Sequence, residues 1–254
     1  MIELKTQKIS DFKTFLESIK ELSIECNINF TDTGMNINCM DGSHVSYAYL
    51  FLSSKWFDDY KCIQNVTIGI NIDNILKCLK FIKKDEILTL TSNNDIDSLE
   101  INFKDHNNIL NKRYSIKKID LDIQKLEIPD IEYENTILIN STFFQSLIKE
   151  LSQLGETINI DISNKYISFN IINTDDIDAT FNLNFDNDEK IQVIKYSQDL
   201  NLQFSSKYLN YFLKSYSLFE NVEINFSYES PLLIKYYIDN ICYLKYYLAP
   251  KIDE

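Results

Sequence analysis

The chain has 254 residues, is 44% hydrophobic and carries a formal net charge of −13. That length holds two ordinary domains, each large enough to bury its own core. No apolar run approaches the length of a membrane span and the N-terminus MIELKTQKIS has no signal-peptide stretch, so the chain reads as an intracellular globular protein with no membrane partner. Five scattered cysteines (Cys26, Cys39, Cys62, Cys78, Cys242) without a CxxC, two histidines (His44, His106), and four glycines forming neither GxGxxG nor a P-loop argue against a disulfide framework, a zinc site and a nucleotide cofactor. No cofactor and no metal site is expected.

In chain order, Phe12, Phe15, Leu16, Ile19 and Leu22 recur at helical spacing and predict a helix over 11–22. Alternation at Ile24, Cys26, Ile28, Phe30 and at Met35, Ile37, Cys39 predicts two strands with one covered face. A second helix is expected over 72–84, with Ile72, Ile75, Leu76, Leu79 and Ile82 as its apolar stripe, followed by strands at Leu88, Leu90 and at Leu99, Ile101, Phe103. Residues 119–133, IDLDIQKLEIPDIEY, follow neither period. They contain Pro129 among acidic residues and read as an extended linker, whose apolar side chains suit a segment lying on the protein surface.

The second half repeats this pattern, with a helix over 141–154, strands at Ile158, Ile160, Ile162, at Ala179, Phe181, Leu183, Phe185 and at Val222, Ile224, Phe226, and a helix over 206–217. The segment FLESIKELS (Phe15–Ser23) returns as FQSLIKELS (Phe144–Ser152), with six of nine positions identical. One structural unit is therefore written twice. The expected fold class is α+β, two similar domains of antiparallel sheets with two helices each, divided as 1–117, a linker 118–134, and 135–254.

Charge is segregated along this pattern. The four helical segments carry nine lysines against five carboxylates, a net of +4, so the remainder of the chain carries −17. On the second helix Lys77, Lys80 and Lys84 lie opposite the apolar stripe, and Lys207 and Lys214, seven apart, are expected on one face of the fourth. For one helix a solvated lysine face is the ordinary explanation. Repeated in an acidic chain, the bias suits a positively lined passage that attracts phosphates without reading bases.

Further stretches carry a family resemblance. The tail LKYYLAPKI (Leu244–Ile252), MDGSHVS (Met40–Ser46), the linker core DLDIQKLEIP, FDDYKC (Phe57–Cys62) and KYLNYF (Lys207–Phe212) resemble, in this order and spacing, proliferating cell nuclear antigen, the eukaryotic DNA sliding clamp family. The resemblance covers essentially the whole chain. It implies the DNA clamp fold, assembling into a homotrimeric ring with twelve helices facing the hole, and a nuclear location. It implies a non-enzymatic processivity factor that encircles double-stranded DNA without sequence preference and tethers DNA polymerase and other replication and repair proteins by a short interaction peptide, with a clamp loader as a further partner.

Carried over by position, the resemblance implies DNA-facing lysines at Lys13, Lys20, Lys77, Lys80, Lys149, Lys207 and Lys214. Thr14 and Ser146 stand where some members have additional basic residues. It implies a peptide-docking pocket of Met40, His44, Val45, Leu126, Ile128, Pro231 and Tyr247, with Ala249, Pro250, Lys251 and Ile252 pairing in extended form with the incoming backbone. Tyr47, Glu127 and Ser230 depart from the family there, which has an aliphatic residue, a glycine and a valine. It implies a subunit interface between a strand over 110–117, with Lys112, Arg113, Tyr114 and Lys117, and a partner edge near Asp175, Asp176 and Asp178, together with Leu151. The family's regulatory ubiquitin-acceptor lysine falls on Asn164, with Lys165 beside it. Two other readings stand: a subunit of a heterotrimeric checkpoint clamp of the same fold, and, more remotely, a metal-dependent nuclease using Asp95 and Asp97 or Asp175, Asp176 and Asp178.

Overall fold

A computed structural model of the chain describes residues 1–83, 85–93, 97–105, 110–121, 131–172, 177–185 and 190–251. The first half runs β1 (Ile2–Thr6), α1 (Ile9–Lys20), β2 (Glu25–Phe30), β3 (Gly34–Met40), β4 (Ser46–Ser53), β5 (Asp59–Cys62), β6 (Val66–Asn71), α2 (Ile72–Leu79), β7 (Glu86–Ser92), β8 (Ser98–Asp105) and β9 (Asn111–Lys117). The second runs β10 (Asn135–Asn140), α3 (Ser141–Leu154), β11 (Thr157–Ile162), β12 (Tyr166–Ile171), β13 (Ala179–Asn184), β14 (Ile191–Lys195), β15 (Leu200–Ser205), α4 (Ser206–Tyr211), β16 (Asn221–Phe226), β17 (Leu232–Ile238) and β18 (Cys242–Leu248). No helix among the described residues is long and apolar enough to cross a membrane.

The duplication is complete at the level of topology. In the first repeat the strand orders are β5-β1-β7-β8-β9 and β6-β2-β3-β4; in the second they are β14-β10-β16-β17-β18 and β15-β11-β12-β13, the same connections advanced by nine strands. Registered pairings are antiparallel throughout, as hairpin-linked strands with one wet face require. Contacts divide the chain into two compact units, one of Met1–Gly42, Ala48–Leu126 and Ile238–Leu244, the other of Ser43–Tyr47, Glu127–Tyr237 and Lys245–Glu254.

In the first unit α1 buries Phe12, Phe15, Leu16 and Ile19 and α2 buries Ile72, Ile75 and Leu79, together with the inward rows of β1, β7 and β8 at Ile2, Leu4, Leu88, Leu90, Leu99, Ile101 and Phe103. Trp56 wedges between the rings of Phe12 and Phe15, with centroids 6.3 and 6.1 Å away. Two glycines are demanded by close approach. Gly34, at φ +153°, would place a Cβ 2.2 Å from the carbonyl oxygen of Leu52, and Gly69 would place one 2.2 Å from that of Ile119. Gly69 thereby admits the chain leaving β9: Ile119 donates its N–H to the Gly69 carbonyl (2.8 Å), and the Asn27 amide donates to the Leu121 carbonyl (3.3 Å).

In the second unit α3 begins on Asn140, whose side-chain oxygen accepts the N–H of Phe143 (3.1 Å), and buries Phe144, Leu147, Ile148 and Leu151. After α4, Phe212 and Leu213 turn inward together, and the Phe212 ring stacks on Tyr246 of β18 at 4.3 Å.

Four helix boundaries differ from the sequence expectation: α1 starts at Ile9 rather than at 11, and three helices end early. α1 ends at Lys20 because β2 begins five residues on, whereas the same KELS in α3 is followed by four more residues before β11 and stays helical to Leu154. α2 stops at Leu79 and α4 at Tyr211, the chain after α4 continuing in tight turns with a 3-10 turn at Tyr216–Leu218. The apolar period persists in those turns, so spacing alone extended the helices too far.

Candidate functional site: cationic helices, a tyrosine-lined surface and two open edges

In the first unit α1 and α2 pack side by side, and their outward residues include Lys13, Lys20, Lys77 and, at the end of α2, Lys80. Lys20, in the last turn of α1, pairs with Asp73 in the first turn of α2 at 2.7 Å, each charge placed where the helix dipole favours it. The hydrogen bond from Lys20 to Asp73 raises the lysine pKa above its ordinary value. Lys13 lies 3.7 Å from Glu17, one turn along. Lys77 donates to the Asn74 side-chain oxygen (3.2 Å), and the Lys80 ammonium sits over the Phe81 ring at 5.8 Å. Lys84 lies outside the described residues.

In the second unit Lys149, Lys207 and Lys214 are all exposed. Lys207 sits over the rings of Tyr208 and Tyr211 at 5.9 and 5.8 Å. Lys214 follows α4 in the turn, so the shared helical face expected for Lys207 and Lys214 does not form. Thr14 and Ser146 donate to carbonyls of their own helices, Ser10 at 3.0 Å and Phe143 at 2.8 Å.

The second unit also gathers most of the described residues of the expected docking pocket. Tyr247 of β18 faces Tyr47 with ring centroids 6.0 Å apart. The Tyr133 hydroxyl donates to the Pro231 carbonyl (3.3 Å); burial, and then the neighbouring Tyr247, push its pKa up. His44, at φ +60°, and Val45 are exposed beside Tyr47 in sequence. Ala249 donates its N–H to the Val45 carbonyl (2.9 Å) and Lys251 to the Gln203 carbonyl on β15 (2.7 Å). Because Pro250 has no N–H, residues 249–251 have no backbone donor left for a partner. An incoming chain can use only their carbonyls. Met40, in the first unit, ends β3 half-buried. Leu126, Ile128 and Ile252 lie outside the described residues, as does Glu127.

Among the described strands six end a sheet: β5 and β14, and β6 and β15, do so in both repeats, whereas β9 and β13 do so in one repeat only. β9 flanks only β8, and β13 flanks only β12. Their repeat counterparts, β18 and β4, are neighbours in the strand order within the chain. On β9 the inward residues Lys112, Tyr114 and Ile116 line the free edge; Tyr114 is half-buried, edge-on to Phe103 at 6.0 Å. On β13 the corresponding row, Ala179, Phe181 and Leu183, is only half-covered, where sequence alternation predicts a covered face. An apolar row that ends at an open sheet edge stays partly wet until another strand is added.

Charges on β9 are partly committed within the unit. Lys112 pairs with Glu86 at 2.6 Å, donates to the Phe81 carbonyl (3.2 Å) and sits over the Phe103 ring at 5.3 Å. The Glu86 side chain is 1% exposed. Burial pushes its pKa up, but the bonds from Lys112 and the Lys83 N–H outweigh this and hold it below the ordinary value. Arg113 Nε donates to Glu100 (2.9 Å), whose pKa is lowered by Ser115 and then Arg113. Lys117 and, across the sequence, Asp178 are exposed; Asp175 and Asp176 lie outside the described residues. Leu151 is fully buried in α3. Among the described residues no group of three His, Cys, Asp or Glu side chains is placed to hold a metal ion.

A unit written twice, each copy with lysines on its outward helices and one sheet edge, β9 or β13, left open where the counterpart is covered, is a modular two-repeat scaffold. The family models agree in both halves: residues 1–126 match the proliferating cell nuclear antigen N-terminal domain and residues 127–251 its C-terminal domain. The chain belongs to the proliferating cell nuclear antigen family, the DNA sliding clamps.

Proposed function

We propose that three copies of this protein join head to tail into a closed ring that encircles double-stranded DNA and serves as a non-enzymatic processivity clamp in the nucleus. The observation that carries this reading is the repeat logic of the sheet edges. β18 and β4 neighbour one another within the chain, while β9 and β13, at the same positions in the two repeats, are left open. Pairing β9 of one copy with β13 of the next repeats the internal junction between copies. Such a contact is heterologous, and it closes when its rotation divides the circle.

In a three-copy ring twelve helices about 9 Å apart span on the order of 110 Å, leaving a lumen of about 25 Å once helix radii are removed. That admits a hydrated duplex. Lys13, Lys20, Lys77, Lys80, Lys149, Lys207 and Lys214 are the proposed phosphate contacts, weak and sequence-independent, which suffices when the DNA is threaded. The acidic remainder keeps DNA off the other surfaces. The surface around Tyr47, Tyr133, Pro231 and Tyr247 is the proposed seat for the interaction peptide of a polymerase or repair enzyme, with Val45 at its edge and Met40, His44, Leu126 and Ile128 as further expected members. Tethering there raises the enzyme's effective concentration at the primer end.

A subunit of a heterotrimeric checkpoint clamp shares the fold but lacks a self-complementary joint. Light scattering after gel filtration separates the two: a mass of three copies at micromolar concentration supports the homotrimer, and a monomer that trimerises only with two different chains supports the alternative.

A further inference from the structure

Phe81 follows α2 directly and is 72% exposed, an unusual position for a phenylalanine in a folded unit. Its backbone carbonyl accepts from Lys112 of β9 at 3.2 Å, and the Lys80 ammonium lies over its ring at 5.8 Å. The exposed face therefore adjoins the open edge of the sheet.

The second repeat shows what that position does elsewhere. Counting from the helix caps, Asn71 for α2 and Ser205 for α4, Lys80 corresponds to Lys214 and Phe81 to Ser215. Ser215 is fully buried. The two repeats share their strand order, but they differ in one respect at this point. β18, the strand matching β9, has a further neighbour in β4, whereas β9 has none. The same location is thus closed where the sheet continues and open where it stops.

We infer that Phe81 is an apolar anchor of the joint between copies, buried by the next copy when its β13 pairs with β9. The inference rests on the head-to-tail ring and gives that joint a second layer: backbone pairing and charge in the sheet layer, an aromatic anchor in the helix layer. The occupant is a second copy of this chain because the chain itself carries the complementary edge, with the half-covered row Ala179, Phe181 and Leu183 and the exposed Ile177 beside it. Ile63, 80% exposed after β5, lies at the opposite edge of the same sheet and takes no part.

The test compares Phe81→Asp, Phe81→Leu and Ile63→Asp in the full chain, with mass followed by light scattering across a dilution series and folding checked by circular dichroism and melting. Phe81→Asp is expected to raise the concentration for half-assembly on the order of 10- to 100-fold, the range set by burying one phenyl ring. Phe81→Leu and Ile63→Asp are expected to assemble like the unaltered protein. A trimeric protein whose Phe81→Asp variant, equally well folded, assembles at the same concentration overturns the anchor and leaves the ring standing. An unaltered protein that stays monomeric at every concentration overturns both.

Discussion

The Lys20–Asp73 pair sets up a gain-of-function test of the DNA track. At 2.7 Å the carboxylate holds the ammonium that a phosphate would otherwise take, and it adds a negative charge to the same surface. Asp73→Asn keeps the side-chain shape, releases Lys20 and changes the net charge of the chain from −13 to about −12. One added phosphate contact steepens the dependence of log affinity on log salt by about 0.9. Extrapolated from 1 M, that corresponds to about eightfold tighter duplex binding at 0.1 M salt, shrinking to about 3.5-fold at 0.25 M. The variant also loses a favourable charge at the start of α2, at a cost of about 0.3–1 kcal/mol, which melting detects separately. Fluorescence anisotropy with a short labelled duplex, titrated from 0.05 to about 0.4 M salt, reads the slope directly. An unchanged slope with unchanged or weaker binding would refute the placement of Lys20 against DNA.

Other perturbations probe the fold that positions these surfaces. Gly69→Ala forces the Ile119 carbonyl away from a Cβ that would sit 2.2 Å from it, so the Ile119 amide should lose hydrogen-exchange protection, with a cost of about 1–3 kcal/mol; retained protection would mean the strap has room. The Tyr236 hydroxyl is buried with no hydrogen-bond partner among the described residues, and Tyr236→Phe should therefore melt no lower and up to about 1 kcal/mol more stable, while a clear loss would reveal a hidden partner. Glu86 and Glu100 have folded pKa values below their ordinary ones, so the stability they contribute is complete above pH 4.5 and fades as pH falls through their folded values. Lys112→Met strands the buried Glu86 carboxylate and should cost about 2 kcal/mol at pH 7, a deficit that shrinks near pH 4 as Glu86 takes up a proton; a pH-independent deficit contradicts that assignment.

Much of the fold was readable because its strands alternate and its repeat is short. Cys26, Ile28 and Phe30, or Ile158, Ile160 and Ile162, announce one wet and one dry face and are buried as expected, whereas Ile24, expected to open the first row, is 47% exposed ahead of β2. β12 hid because five consecutive residues, Ile167–Ile171, are buried and leave no alternation to detect. The ends of α2 and α4 were illegible for a different reason: apolar residues continue beyond them, and only the tertiary partner, such as Tyr246 under Phe212, shows that the chain has left the helix. At the candidate site, spacing identified the lysines on helices but not the pairing of Lys20 with a carboxylate 53 positions away, nor the commitment of Lys112 to Glu86. The open edges of β9 and β13 are likewise a property of strand order, which no local pattern encodes.

Threading tests the central claim most directly. A linear duplex anchored at one end to a bead, given the protein while its other end is free and then capped there with streptavidin, should retain the protein through a wash at moderate salt. The same duplex with that free end blocked beforehand by streptavidin should retain almost none when no loader is present. Equal retention whether the end is capped before or after the protein is added would show that the protein grips DNA from the side, and the ring account would be wrong.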